Sequence, residues 1–297
     1  MFLVIKVADF QNEELAANDI NLSLSVISKT VRDVEKDLGV LLFERSSRGM
    51  LLTPIAEIII RHVKLAIAEI RDGTAEVSTI EGASLGRLIV GTLPQSRTKL
   101  VPDAINKLLF EFPRQAVIME DSAFKRLVPG LRCGDIDLIV GSVRETLLPK
   151  DLTCETLFHD NLVVVVRKDH PLTKKKRLSF DELGKYEWII SQKHIPLRDK
   201  FDELVVREDI RLSSNTIVSS SFSSVRGLLL TSDRLCLKSE SQVQYELESG
   251  LLMALPICDN QITLPIGITT RKDWSPPPAA VRFKEILREI ATLQSAN

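Results

Sequence analysis

The sequence predicts a mainly α/β protein in three parts: an N-terminal winged helix-turn-helix, a long linker helix and a two-lobed C-terminal domain. Three observations predict this arrangement. A helical pattern over Ser23–Leu38 is followed by two short apolar runs around a basic turn. A proline-free stripe of apolar residues then extends from Ile55 to about Ile80, and from Arg87 onward strand-like and helix-like segments alternate. The 297 residues exceed one typical hydrophobic core, so more than one domain is expected.

The segment Ser23–Leu38 has the spacing of an amphipathic helix. Ser23 precedes the apolar positions as a candidate N-cap, whose side-chain oxygen can accept from a backbone N–H of the first turn. The apolar face is formed by Ile27, Val31, Val34 and Leu38. The opposite face carries Ser25, Ser28, Lys29 and Arg32. Short hydroxyls and flexible cations reach base edges and phosphates in a major groove, so this helix is predicted to contact DNA.

The flanking segments predict the rest of a winged helix-turn-helix. Residues Glu13–Ile20 fit a short helix, and only Asn21-Leu22 separates it from Ser23. Downstream, the apolar runs Val40–Phe43 and Met50–Thr53 flank a basic turn and predict a hairpin, which would be the wing. On pattern alone, an ordinary surface helix followed by an ordinary hairpin is equally compatible, but the order of the parts favours DNA binding. The candidate DNA contacts are Ser23, Ser25, Val26, Ser28, Lys29, Arg32, Arg45 and Arg48.

The charge of the first 53 residues differs from the basic balance that is typical of nucleic-acid binding. Six basic and eight acidic residues give a net charge of −2, although Ser23–Arg32 contains no acidic residue. Apart from Lys6, the positive charge is therefore confined to the predicted DNA-contacting helix and the wing. We expect few phosphate contacts per subunit and a shallow salt dependence of non-specific DNA affinity.

A long linker helix is predicted after the wing. Pro54 suits the first helical turn, and no proline interrupts the segment from Ile55 to about Ile80. Gly73 interrupts it at a cost of about 1 kcal/mol relative to alanine. The apolar stripe comprises Ile59, Val63, Ala66, Ile70, Val77 and Ile80. A stripe of this length is too long for one small domain to cover, so we expect the helix to pair with that of a second copy. A lone helix lying on its own domain is the alternative.

The remaining chain alternates between candidate strands and helices, which is typical of parallel sheets with helical crossovers. The predicted strands are residues 87–92, 116–119, 137–141, 152–157, 161–168, 188–190, 215–219, 235–238, 251–255 and 264–270. The predicted helices are 101–112, 124–132, 179–183, 196–206, 220–230, 240–248 and 279–293. The alternation restarts after the apolar run Leu162–Val166, so two lobes are predicted, as in periplasmic solute-binding proteins. The predicted domains are 1–53 for the winged helix-turn-helix, 54–83 for the linker, 84–161 with 267–297 for lobe 1, and 162–266 for lobe 2.

A cleft between two such lobes should lie at the carboxyl ends of the strands, where helix N-termini point. Backbone N–H groups and serine hydroxyls there favour anions and polyols, although most serines at helix starts only cap the helix. We expect a small polar metabolite, either a sugar or a carboxylate, and no cofactor. Ser122 is also expected to cap the helix that follows it. The candidate effector contacts are Pro94, Gln95, Ser96, Ser122, Ser142, Ser191, Ser220 and Phe222.

Three classes of function are compatible with this organisation: a ligand-responsive transcription factor, a solute-binding protein without DNA-binding activity, and an enzyme. Apolar residues make up 44% and charged residues 27%, as in soluble globular proteins. Apolar runs such as Leu162–Val166 are too short to span a bilayer, and no signal peptide is evident. The four cysteines and four histidines form no metal-ligand spacing. No catalytic triad or phosphate loop supports an enzyme. The N-terminal pattern argues against a solute-binding protein.

Several motifs resemble those of the LysR-type transcriptional regulators. In the N-terminal part they are Leu15-Ala16-Ala17, Asn21-Leu22-Ser23, Val26-Ile27-Ser28-Lys29 and Leu38-Gly39-Val40-Leu41-Leu42-Phe43-Glu44-Arg45. In the C-terminal part they are Gly134-Asp135-Ile136-Asp137-Leu138 and Asp169-His170-Pro171-Leu172. The segments Leu93–Lys99 and Gly267–Trp274 resemble a subgroup that includes regulators of sugar-uptake and protocatechuate-catabolism genes. Leu24 departs from the family, which usually has glutamine there, so one polar DNA contact is expected to be missing.

The resemblance implies a cytoplasmic regulator that is not an enzyme. It implies a homodimer, further paired as a dimer of dimers, on partly palindromic double-stranded promoter DNA. It also implies contact with RNA polymerase, and an effector domain in the two C-terminal lobes. No membrane partner is expected.

Overall fold

The computed structural model describes residues 1–46, 49–80, 86–143, 148–256 and 262–295. Its N-terminal part comprises three helices and a hairpin, namely α1 (Phe2–Phe10), α2 (Glu13–Asp19), α3 (Leu24–Leu38), β1 (Phe43–Ser46) and β2 (Gly49–Leu52). Strand β1 pairs antiparallel with β2. The predicted winged helix-turn-helix is confirmed, and we call these residues, 1–53, the head.

Helix α3 is stabilised by capping at both ends and by burial of its inner face. The Ser23 hydroxyl accepts from the backbone N–H of Val26 at 3.4 Å, and Gly39 ends the helix in the left-handed conformation. Ile27 and Val31 are buried in the core of the head, as their spacing predicts. The prediction was wrong for Leu38, which is 44% exposed. It is the last residue of α3.

The wing starts later than predicted. The expected first strand covered residues 40–43, whereas β1 covers Phe43–Ser46. The reason lies in α3, where the Glu35 carboxylate accepts from the backbone N–H of Leu42 at 2.7 Å and of Phe43 at 3.2 Å. This contact holds the chain on α3 until ladder pairing begins at Phe43 opposite Leu52. Arg45 therefore lies in a strand rather than in the turn.

The predicted linker is the 27-residue helix α4 (Pro54–Ile80). The Thr53 hydroxyl accepts from the backbone N–H of Ala56 at 3.1 Å at its start. Ala56, Ile60, Ala68 and Asp72 are buried against the rest of the chain. A different face exposes apolar side chains, which are those of Ile55, Ile58, Ile67, Ile70 and Val77. Neither α4 nor any other helix in the described ranges is apolar enough over a sufficient length to cross a lipid bilayer.

The C-terminal domain is built on one nine-stranded sheet with strand order β4-β3-β5-β11-β6-β9-β7-β8, and β10 pairs with β6. The strands are β3 (Arg87–Thr92), β4 (Ala116–Asp121), β5 (Leu138–Ser142), β6 (Leu152–Arg167), β7 (Trp188–Ile190), β8 (Ile217–Val218), β9 (Leu235–Ser239), β10 (Leu252–Ala254) and β11 (Thr263–Arg271). The helices are α5 (Leu100–Glu111), α6 (Phe124–Cys133), α7 (Phe180–Leu183), α8 (Pro196–Arg207), α9 (Phe222–Leu230), α10 (Glu240–Glu248) and α11 (Pro278–Ser295). The predicted α/β class is confirmed.

Two long strands join the lobes. The sequence predicted separate strands at 152–157 and 161–168, but β6 runs without a break for 16 residues. Strand β11 pairs with it antiparallel from Leu152 to Asn161, with one irregularity between Ile266 and Gly267. This partner holds the polar residues near Asp160 extended, although their local pattern suggested a break. The lobe boundaries predicted at 161/162 and 266/267 thus fall inside these two crossing strands.

Candidate functional sites

The outer face of α3 carries most of the predicted DNA contacts. Ser23, Ser25, Val26, Lys29 and Arg32 are exposed. The Ser23 and Ser25 hydroxyls lie 2.9 Å apart, within hydrogen-bond distance. Arg32 donates from Nε to the backbone carbonyl of Ser28 at 3.1 Å, so its stem lies along the helix. Apart from Val26, these side chains form a polar face with two cations and no carboxylate.

Three of the predicted DNA contacts stand apart from this face. Ser28 is half-buried and donates its hydroxyl hydrogen to Glu13 of α2 at 2.9 Å, so it already serves to pack α2 on α3. Arg45 lies in β1, and its side chain is outside the described residues. Arg48 is also outside the described residues.

Ion pairs join α4 to lobe 1 and to the head. Lys64 donates to Asp9 of α1 at 2.8 Å and to Asp135, which follows α6, at 2.9 Å. Burial disfavours the Lys64 ammonium, but the two carboxylates outweigh it and raise its pKa above the usual value. About two turns further along, Arg71 contacts Asp137 at 2.6 Å and Asp72 at 2.8 Å. Helix α4 is therefore fixed to lobe 1 by directed contacts.

A cavity of about 800 Å³ lies between the two lobes. It is open at the carboxyl ends of β3, β4 and β7, where the alternation of strands and helices predicted a cleft. Lobe 1 contributes Leu93, Pro94, Gln95, Arg97, Asp121, Ser122, Ala123, Phe124, Lys125, Val128, Pro129, Ser142 and Pro149. Lobe 2 contributes Gln192, Lys193, His194, Ile195, Pro196 and Ser220. The walls thus combine apolar side chains with cations and amides.

The charges of this cavity are unequally compensated. Arg97 contacts Asp121 at 3.2 Å and donates to the backbone carbonyls of Thr92 and Ser122 at 2.8 and 3.1 Å. Burial lowers the pKa of Arg97, and the Asp121 charge opposes this shift. Lys125 and Lys193 are exposed to the cavity, and neither has an ion-pair partner among the described residues. An anion in the cavity would meet one uncompensated cation from each lobe.

Family models cover both parts of this structure. Residues 1–57 match the bacterial regulatory helix-turn-helix protein of the lysR family, and residues 81–292 match the LysR substrate binding domain. The chain belongs to the LysR family. It is a LysR-type DNA-binding transcriptional regulator with an effector-binding domain, and its homologues are transcriptional regulators rather than solute-binding proteins.

Known LysR-type proteins are similar to it along nearly the whole chain. The regulator GalR of Pseudomonas putida is 29% identical over 291 residues, which cover 98% of this chain and 73% of GalR. PcaQ of Agrobacterium fabrum is 27% identical over 97% of this chain and 92% of PcaQ. Among solved structures, full-length CbnR complexed with its target DNA is 20% identical with a TM-score of 0.67, and the alignment covers 97% of each chain. This last similarity shows the fold.

The cavity of this LysR-type regulator includes five of the eight predicted effector contacts, namely Pro94, Gln95, Ser122, Ser142 and Ser220. Ser96 is fully buried and does not line the cavity. Its hydroxyl is hydrogen-bonded to the backbone carbonyls of Leu93 and Val140. Ser191 is also buried and outside the lining. Phe222 is turned to the core of lobe 2, where it packs beside Val225. Ser122 does not cap α6, since Ala123 occupies the N-cap position.

The cations of the cavity were missed at the sequence level. The prediction weighted serines and backbone N–H groups at strand ends, whereas Arg97, Lys125 and Lys193 lie within five residues of those same ends. Basic residues close to several strand ends are the signal that could have identified them. Their convergence depends on how the two lobes face each other, which no local pattern contains.

Proposed function

We propose that the effector of this transcriptional regulator is a small organic anion that binds between the lobes. Its binding changes the affinity of the regulator for promoter DNA. The observation that carries the proposal is the pair of uncompensated lysines. Lys125 lies in the first turn of α6 in lobe 1 and Lys193 follows β7 in lobe 2, and both line one cavity. A carboxylate between two ammonium groups forms charge-assisted hydrogen bonds, which are stronger than those between neutral groups.

The rest of the lining supports a carboxylate with an apolar body. Phe124, Val128 and Ile195 offer apolar contacts to a carbon skeleton. Gln95 lines the cavity, is 2% exposed, and its Oε1 accepts no hydrogen bond in the described part of the chain. A hydroxyl on the effector would satisfy this acceptor. Of the two classes predicted from the sequence, sugar and carboxylate, the charges favour the carboxylate.

Helix α6 connects the cavity to the linker. Its first residues, Phe124 and Lys125, line the cavity, and the turn after its last residue carries the Asp135 that contacts Lys64 of α4. An anion that draws the lobes together would shift the population of the protein towards one arrangement of lobe 1 relative to α4. This route supports coupling between the effector and the heads.

Thermal unfolding of the full chain tests the effector class. Mono-, di- and tricarboxylates of four to ten carbons are compared with their neutral amides. We expect at least one acid, at about a hundred times its Kd, to raise Tm by about 5 °C, and its amide not to do so. Lys125→Met and Lys193→Met should each weaken binding of that acid about tenfold or more. Lys168→Met, which removes an exposed lobe-2 lysine outside the cavity, is the matched control. Equal stabilisation by an acid and by its amide would contradict the proposal. The absence of stabilisation by every acid tested would contradict it as well.

For the DNA contacts, we infer that α3 enters the major groove and that the wing lies against the minor groove or phosphates. The exposed cations of α3 support this, as does the similar fold of CbnR, which was solved on its target DNA. Arg32→Ala should lower specific DNA affinity about tenfold or more while the dimer stays intact. Fluorescence anisotropy and sedimentation velocity measure the two properties, with Lys168→Met again as control. Unchanged affinity in Arg32→Ala would exclude this role.

We further propose a homodimer through α4, assembled as a dimer of dimers, that acts in the cytoplasm and contacts RNA polymerase. The exposed apolar face of α4 supports the dimer, since such a face is normally covered by a partner. Membership of a family of transcriptional regulators supports the other assignments and the absence of a catalytic role.

A further inference from the structure

Two apolar side chains are exposed in the first turn of α3, within a surface otherwise made of hydroxyls and cations. Leu24 is 48% exposed and Val26 is 43% exposed. They flank Ser25, whose hydroxyl contacts that of Ser23. Neither packs against the core of the head, which takes Ile27 and Val31 from the same helix. The head thus leaves apolar surface in water at the end of α3 that its fold presents to DNA.

The position of these residues restricts what they can contact. Successive helical residues are rotated by about 100°, so Leu24 and Val26 project to either side of Ser25. The N-terminal residues of the second helix of a helix-turn-helix are those that approach base edges in the major groove. The C5-methyl of thymine is the apolar group that a base pair presents there.

We propose that Leu24 and Val26 contact thymine methyl groups, so that this regulator selects thymine at the base pairs next to Ser25. The inference rests on the proposed role of α3 in the major groove. Burying each methyl against leucine or valine removes apolar surface of both partners from water. Sequence selection at this turn is then partly apolar, while Lys29 and Arg32 supply the polar and phosphate contacts.

Removal of single thymine methyls from the binding site tests this directly. Sites are first isolated from genomic DNA fragments by their binding to the full chain. Each thymine is then replaced by deoxyuridine, which keeps the base pair and deletes only the methyl. We expect at least one replacement per half-site to weaken binding about fourfold, the loss that corresponds to one buried methyl group at fixed salt.

A matched pair of variants locates the contact. Leu24→Gln should abolish the deoxyuridine effect at one position of each half-site. Leu38→Gln is the control, because Leu38 has a similar exposure of 44% on the same helix. It lies about 21 Å further along α3 and should leave the effect unchanged. Both side chains are exposed, so both variants should fold, and circular dichroism verifies this.

The outcomes separate the inference from the function on which it rests. Specific binding that no deoxyuridine replacement weakens, or that Leu24→Gln leaves equally sensitive, would refute the thymine contact alone. Failure of the wild-type chain to bind any DNA fragment would refute the proposed role of α3, and the inference with it. If Leu24 and Val26 instead dock on a protein, Leu24→Gln would alter the oligomeric state while the deoxyuridine effect is absent.

Discussion

The carboxyl group of Asp160 is buried in the folded protein with incomplete hydrogen bonding. It is 4% exposed on β6, accepts from the backbone N–H of Ser241 at 3.3 Å, and its Oδ2 has no hydrogen-bond partner in the described part of the chain. Burial raises its pKa from 3.8 to about 6, and the hydrogen bonds only partly oppose this. Because the folded state binds the proton more tightly than the unfolded state, the ionised group destabilises the fold above about pH 6. This cost declines as the pH falls towards 4.

Asp160→Asn should therefore stabilise the protein at pH 7.5, by on the order of 2 kcal/mol. The gain should be smaller at pH 5, where the folded wild type already carries the proton. Urea unfolding at the two pH values measures it. A gain that does not change with pH, or a loss of stability, would contradict a raised pKa of the buried Asp160 carboxyl group.

Two glycines allow a second comparison at the residue scale. Gly39 and Gly134 both end helices with a positive φ, of 70° and 75°. A Cβ at Gly39 would meet nothing within 4 Å, whereas one at Gly134 would lie 2.5 Å from the Cβ of Ala68 in α4. Gly39→Ala should cost only the left-handed strain, about 1–2 kcal/mol. Gly134→Ala should cost clearly more, because α4 and lobe 1 must also separate. Equal losses of unfolding free energy in the two variants, measured with urea, would mean that Ala68 can move away from residue 134 at no energetic cost.

At the scale of elements, α4 is attached to lobe 1 by charge as well as by shape. Asp137 is 2% exposed, contacts Arg71 of α4, and accepts from the backbone N–H of Ile89 at 2.7 Å. Burial raises the pKa of Asp137, and the Arg71 charge restrains that rise. The attachment therefore depends on Arg71 remaining in place.

Arg71→Met should destabilise the protein by roughly 3–5 kcal/mol, because it leaves the Asp137 carboxylate buried without its cation. Thermal unfolding with and without urea measures the loss. Arg282→Met is the control, since Arg282 also contacts several carboxylates, those of Glu111, Glu285 and Glu289, but at the surface. The control should unfold like the wild type. A similar loss in both variants would contradict a special role of burial.

At the scale of the whole molecule, the proposed dimer depends on the exposed apolar face of α4. Ile70 is 69% exposed near the middle of this face. Ile70→Glu should shift the protein to monomers, because a carboxylate would be buried in the helix seam. Affinity for a two-half-site DNA should then fall by a hundredfold or more, since the second head no longer binds at high effective concentration. Sedimentation velocity and anisotropy measure both effects.

The neighbouring exposed residue supplies the control for this prediction. Glu69→Gln changes the charge at a position adjacent to Ile70 and should leave the dimer intact. A dimeric Ile70→Glu protein would place the subunit contact elsewhere than on α4.

The sequence alone was sufficient where one face of an element decides its structure. The inner face of α3 could be predicted from Ile27 and Val31, and the start of α4 from Pro54. It was insufficient where a particular side-chain contact or a partner strand decides. The start of β1 depends on Glu35 contacting the backbone of Leu42, and the continuity of β6 through Asp160 depends on its pairing with β11. Glu35 lies only seven residues before Leu42, but residue types do not specify which backbone N–H groups its carboxylate accepts from. Strand β11 is far from β6 in the chain, so no local pattern includes their pairing.

By itself, then, the sequence determined the family, the α/β class, the helices of the head and the long linker helix, because side-chain periodicity and motif spacing are properties of the chain. Only the tertiary structure decided which side chains meet across the cavity. Lys125 and Lys193 are 68 positions apart and belong to different lobes, and Ser96 and Ser191 turned inward instead. The physical reason is that a site between two lobes is set by their relative orientation, which depends on the shared strands β6 and β11 rather than on any local segment.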